Sequence, residues 1–145
     1  MRHSILTILT GAAIALLVPP LARADTAAEA GGIMIELNKL EPQEGACQAF
    51  LVIQNGTPAA FDDLVLDLVM FDTDGVIARR LAVDVAPLRP SRTSVKVFSM
   101  QGTACDGIGR MLVNDVLSCS GGEGVPQDCF AALDVVSRAG VELIQ

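Results

Sequence analysis

The sequence predicts an all-β fold, a sandwich or barrel of short strands, and three observations carry that prediction. First, apolar residues recur with period two. Between Phe61 and Phe71, residues Leu64, Leu66, Leu68 and Met70 share one parity, and Asp63, Val65, Asp67 and Val69 share the other. One strand face is therefore expected dry and the other partly wet. Second, turn signals punctuate the chain at near-regular intervals: Glu41–Gly45, Asn55–Pro58, Asp72–Gly75 and Pro87–Ser91. Third, four cysteines follow an export leader, an even count that suits disulfides.

The leader is read from the first 24 of 145 residues. Arg2 and His3 give a positive start, Ile5–Val18 is almost wholly apolar, and Ala22-Arg23-Ala24 matches a small-x-small cleavage site. The apolar run is short of the roughly 20 residues that span a bilayer. No cysteine sits just past the expected cut, so no lipid anchor is expected, and no twin arginine precedes the apolar run; no second hydrophobic span follows, so no membrane span is expected in the mature form. Residues 25–31 read as a flexible N-terminal segment and 32–145 as a single β-sandwich domain.

Within that domain Gly32–Leu40 alternates Ile33, Ile35 and Leu37 against Met34, Glu36 and Asn38, and predicts a first strand. Cys47–Gln54 and Phe61–Phe71 follow as strands two and three, joined by Asn55-Gly56-Thr57-Pro58. Asp72-Thr73-Asp74-Gly75 reads as a hairpin turn, since Asp-Gly tolerates positive φ. Val76–Val85 returns as a fourth strand, with Leu81, Val83 and Val85 opposite Ala82 and Asp84. Thr93–Met100 is a fifth, placing Val95 and Val97 opposite Lys96 and Phe98. Gly102–Gly109 is expected as a loop, Arg110–Cys119 as the sixth strand and Ser120–Gln127 as a flexible connection. Ala132–Arg138 is expected as the last strand, although Phe130 and Leu133 also suit one helical turn.

Asn55-Gly56-Thr57, Leu68-Val69-Met70-Phe71-Asp72, Asp74-Gly75 and Leu88-Arg89-Pro90 together resemble the bacterial FxLYD-type domain, over about residues 47–100. Leu68 and Phe71 stand where that family has Phe and Tyr, and Ser91 where it has glycine. The resemblance implies an immunoglobulin-like antiparallel β-sandwich of about seven strands in an exported or cell-envelope protein. It implies no catalytic residue.

Strand direction selects one of the three possible cysteine pairings. If each strand reverses the one before, the second and sixth run the same way. Cys47 and Cys105 then stand at the start of such strands, at one end of the body. Cys119 closes the sixth strand and Cys129 precedes the seventh, at the other end. A ten-residue strand is about 33 Å long, and a disulfide tolerates a Cα separation of at most about 7 Å. The expected bridges are Cys47–Cys105 and Cys119–Cys129. Redox cysteines usually come as Cys-x-x-Cys and zinc thiolates as two close pairs, and neither pattern is present.

Removing the leader takes Arg2 and Arg23 with it, leaving eight basic residues against all seventeen acidic ones, a net charge of −9. Such a surface repels phosphate backbones and anionic membranes, so nucleic acid is not an expected partner. The sole histidine, His3, lies in the leader, and the chain has no Trp or Tyr. The mature chain has no imidazole for a Ser-His or Cys-His pair or for a zinc or copper site. Asp72-x-Asp74-Gly75 lacks the later ligands of a calcium loop and reads as a turn. Asp62, Asp63 and Asp67 could be imagined as a glycosidase pair, but a solvated strand face and turn explain them without a sugar platform. Met34, Met70, Met100 and Met111 read as packing residues rather than copper ligands. Asn55-Gly56-Thr57 matches a glycosylation acceptor.

Arg79, Arg80, Arg89 and Arg92 form the one basic concentration. They are candidate partner-binding residues, weighed against pairing with nearby acids and guarding a strand edge. The Gly-rich Ser120–Gln127 loop is a second candidate surface. The function expected is a non-enzymatic extracytoplasmic immunoglobulin-like domain, periplasmic or secreted. It would serve as a protein-interaction or structural module of the bacterial cell envelope, its partner an unidentified envelope or secreted protein. The alternative is a secreted small-ligand or metal carrier. No cofactor and no metal site are expected.

Overall fold

The computed structural model describes residues 31–145. The leader expected at 1–24, and all but the last residue of the segment expected at 25–31, lie outside the described residues. Eight strands follow in order: β1 (Ile33–Gln43), β2 (Ala46–Asn55), β3 (Phe61–Asp72), β4 (Ile77–Asp84), β5 (Arg92–Gln101), β6 (Ile108–Gly121), β7 (Leu133–Ser137) and β8 (Glu142–Ile144). They form two four-stranded sheets, β5-β2-β1-β7 and β4-β3-β6-β8.

Period-two alternation builds the core as the sequence predicts. Ile33, Ile35 and Leu37 of β1, Ala49, Leu51 and Ile53 of β2, and Leu64, Leu66, Leu68 and Met70 of β3 are buried in one apolar cluster, with Met100, Met111 and Val113. Each fully buried Leu, Ile or Phe contributes about 1.5–3 kcal/mol over its exposed state. Of the four methionines Met34, Met70, Met100 and Met111, the last three are core residues and Met34 is half-buried.

Two expectations change. Among the described residues there are eight strands rather than seven, because β8 is three residues long, too short for alternation to show in sequence. Pairing is not antiparallel throughout: β7 lies parallel to β1, and β8 parallel to β6. A corner at Arg138–Val141 carries the chain from one sheet to the other. There the Arg138 N–H donates to Leu37 O, and the Ser137 hydroxyl donates to Val141 O. The expected loop before β6 contains a short 3-10 turn, Cys105–Gly107, and β6 begins at Ile108, two residues early. A hydrogen-bonded turn at Cys129–Ala132 precedes β7.

Both disulfides join the expected cysteines. Cys47 and Cys105 have Cα atoms 5.0 Å apart, and Cys119 and Cys129 6.5 Å apart. β2 starts beside the first bridge and β6 ends beside the second, so the bridges close opposite poles. At the second pole Gly121 lets β6 meet the β3 start, since a Cβ there would lie 2.1 Å from Ala60 O.

Candidate interaction surface on the β4–β5 flank

β4 and β5 are the edge strands of the two sheets on the same side of the body. The segment between them ties that side together. Val85 N donates to Leu64 O, Phe61 and Leu88 exchange backbone hydrogen bonds, and the Lys96 ammonium of β5 donates to Ala86 O. β7 and β8, the opposite edges, pack on one another.

The turn at 87–91 is held from below by Asn55, at the end of β2. Its side chain is buried, and Nδ2 donates to Ala59 O at 2.8 Å and Arg89 O at 3.1 Å. Asn55 Oδ1 accepts from Thr57 N at 3.0 Å and Thr57 Oγ1 at 2.7 Å. Asn55 is thus the pin between the β2–β3 crossing and the basic turn. The same contacts commit the amide of the glycosylation-type acceptor inside the fold.

The four arginines adjacent in sequence are separated in space. Arg80 donates through Nε and Nη2 to the two carboxylate oxygens of Asp67 at 2.6 and 2.7 Å. Arg79 lies near the Gly102 end of β5. Arg92 starts β5, about 30 Å away by strand rise, and there shares a cleft of about 310 Å³ with Pro87, Arg89, Thr93 and Ser94. Arg89 and Arg92 therefore border one cleft, Arg79 stands apart, and Arg80 is engaged.

Asp67 corrects the expectation of a solvated strand face. It lies on the outward parity of β3 yet is only 1% exposed, because Arg80 covers it and Asn114 Nδ2 donates to Oδ2 at 2.7 Å. The hydrogen bonds from Arg80 hold its carboxyl below the usual carboxylate range against the opposing effect of burial, and Asn114 adds to them. Asp62 is exposed and Asp63 half-buried, whereas Asp67 is buried and paired with Arg80. Asp72 Oδ1 accepts from Asp74 N and Val76 N, and Gly75 has φ 80°, which makes that segment the expected hairpin turn. Among the described residues no three His, Cys, Asp or Glu side chains group to hold a metal ion, and no cysteine is free.

Alternation along β5 gives two faces but does not say which looks outward. Val95 and Val97 face solvent at 60% and 46% exposure, opposite Val52 and Phe50 of β2, which are half-buried. Leu51 and Ile53 on the other parity are buried, so the valines lie on the outer face of their sheet. The Lys39 ammonium sits 5.3 Å from the Phe50 ring centroid at the margin of this apolar strip. Lys96 takes the inward parity beside Leu51. The signal for all this was present in the alternation, but only pairing shows which valines the second sheet leaves uncovered.

At the far pole, Pro42, Gln43, Gly45, Ala46 and the 102–106 segment line a mostly apolar cleft of about 520 Å³. The Ser120–Gln127 loop lies at the second pole beside the Cys119–Cys129 bridge. By fold the chain is an all-β protein of two four-stranded sheets closed by two disulfides. No family model, curated protein or solved structure matches it.

Proposed function

We propose that this chain is a non-enzymatic, extracytoplasmic binding module of immunoglobulin-like architecture that contacts another protein in the bacterial cell envelope through its β4–β5 flank. The observation that carries the reading is the exposed Val95–Val97 strip on a free edge strand, bordered by cations. Free edges and apolar strips are the means by which β-modules take partners. Disulfides persist in oxidising compartments, which supports periplasmic or secreted residence alongside the leader read from the sequence. The orders β5-β2-β1 and β4-β3-β6 parallel the E-B-A and C′-C-F orders of immunoglobulin sheets, and Cys47–Cys105 ties the β2 start to the segment before β6. The parallel β7 and β8 depart from that plan. The FxLYD-type resemblance over 47–100 supports the same envelope role.

The test is affinity capture from an envelope extract by the purified protein and by a Val97→Asp variant. A partner captured by the first and lost by the second is the expected result. Equal capture by both removes the flank from the reading.

A second reading rests on the apolar cleft beside Cys105, whose size suits a small ligand. Native mass spectrometry of the purified protein decides it: a stoichiometric adduct supports a carrier, and the bare mass excludes one for any ligand that survives purification.

A further inference from the structure

We propose that the β5 edge receives an extended segment of a protein partner in which apolar residues alternate with aspartate or glutamate. This rests on the reading that the flank is the contact surface, and it specifies the chemistry that surface selects.

A strand added beside β5 continues its sheet, so its side chains fall alternately on the two faces. On the outer face its neighbours are Val95 and Val97, backed by Val52 and Phe50, an apolar strip. On the inner face its neighbours are Ser94, Lys96 and Phe98, all half-buried rather than buried, with Arg89 and Arg92 at one end and Arg79 of β4 at the other. One face of the incoming strand meets valines and the other meets cations.

The charge is local and unusual for this chain. Ile77–Gln101 carries Arg79, Arg80, Arg89, Arg92 and Lys96 against one carboxylate, Asp84, in a protein of net charge −7. Arg80 is paired with Asp67, and Asp84 Oδ1 accepts from Ala86 N. Among the described residues no carboxylate lies within 4.0 Å of the other four cations.

Lys96 makes the edge selective. Lys96 donates to Ala86 O but has no carboxylate beside it, and a cation facing inward on an edge strand deters pairing with a neutral strand, because its charge would lose water without gaining an opposite charge. A carboxylate on the incoming strand removes that cost. Two copies joined antiparallel through β5 would instead set Lys96 and Arg92 near the same cations of the other copy, so the occupant is a different, acidic chain.

The test uses fluorescence anisotropy with two labelled nine-residue peptides, valine alternating with glutamate and valine alternating with lysine. The glutamate peptide is expected to bind and to weaken as salt rises, and the lysine peptide to leave anisotropy unchanged. An Arg89→Glu/Arg92→Glu double variant, at two exposed positions, one in the turn and one at the start of β5, is expected to weaken glutamate-peptide binding by about tenfold or more while its melting curve stays unchanged. Val97→Asp provides a second, independent loss. Equal binding of both peptides, a double variant within about twofold of the parent, or sedimentation showing a dimer that Val97→Asp dissolves would each overturn the proposal. Capture of an envelope protein that Val97→Asp abolishes but the glutamate peptide does not compete overturns the acidic chemistry and leaves the flank as contact surface. Capture insensitive to Val97→Asp overturns both.

Discussion

Asn55 Nδ2 holds the backbone carbonyl of Arg89, 34 positions further along the chain, at 3.1 Å. The bond crosses from the end of β2 to the turn before β5, and with it a buried amide fixes where Arg89 and Arg92 stand. Asn55→Ala leaves the Ala59 and Arg89 carbonyls and the Thr57 N–H short of partners. It is expected to cost about 1–3 kcal/mol in urea unfolding. Asn55→Asp keeps the acceptor but loses both donations and sets a negative charge against two carbonyls, so it is expected to cost at least as much. An unchanged midpoint in either variant contradicts the pinning role.

The Asp67–Arg80 pair gives an acid-side signature. Asp67 titrates below its usual value in the folded chain, so the unfolded chain binds that proton more readily. The pair's stabilisation is complete above the unfolded carboxylate pKa of about 4 and is lost as pH falls through the lower folded value. Urea midpoints measured from pH 6 to pH 2 should fall less steeply for Asp67→Asn than for the parent. Glu36, also lowered, by its hydrogen bonds from Asn38 and Arg138, stays in both proteins and cancels in the comparison. Parallel acid limbs contradict the assignment.

Each disulfide closes a loop of different length, 58 against 10 residues. Loop-closure entropy assigns about 4 kcal/mol to Cys47–Cys105 and about 3 kcal/mol to Cys119–Cys129. Replacing each pair by alanine should therefore destabilise more at the first pole than at the second. Peptide mapping without reductant should recover only these two bridges, and a Cys47–Cys119 peptide would contradict the strand directions.

Ser91 holds φ at 53°, the left-handed region that glycine occupies without Cβ crowding. Its N–H still donates to Thr57 O at 3.2 Å. Ser91→Gly relieves the crowding and gives back part of the gain as extra freedom in the unfolded chain. A net stabilisation of about 0.5–1 kcal/mol is expected from thermal unfolding. A lower melting temperature contradicts it.

The inward faces of β1, β2 and β3 were legible because alternation over ten or so residues has one physical meaning. So were both disulfides, since strand length forbids pairing across the body. β8 was not legible, because three residues carry no period. Parallel pairing of β7 was not legible either, since a strand's sequence does not state its neighbour. Asp67 misled for a related reason: its cover, Arg80 and Asn114, comes from two other strands. The arginines misled in the opposite sense. Proximity in sequence suggested one patch, but an extended strand carries Arg79 and Arg92 to opposite ends of the flank.

The proposed contact with another protein lies on the outer face of β5, around Val95 and Val97. The direct measurement is photo-crosslinking in living cells, with a photoreactive residue placed at Val97 or, as control, at Leu117, an exposed apolar position on the other sheet. A discrete heavier species from position 97, absent from position 117, is the predicted result. Equal products from both positions, or a product from 117 alone, would contradict it.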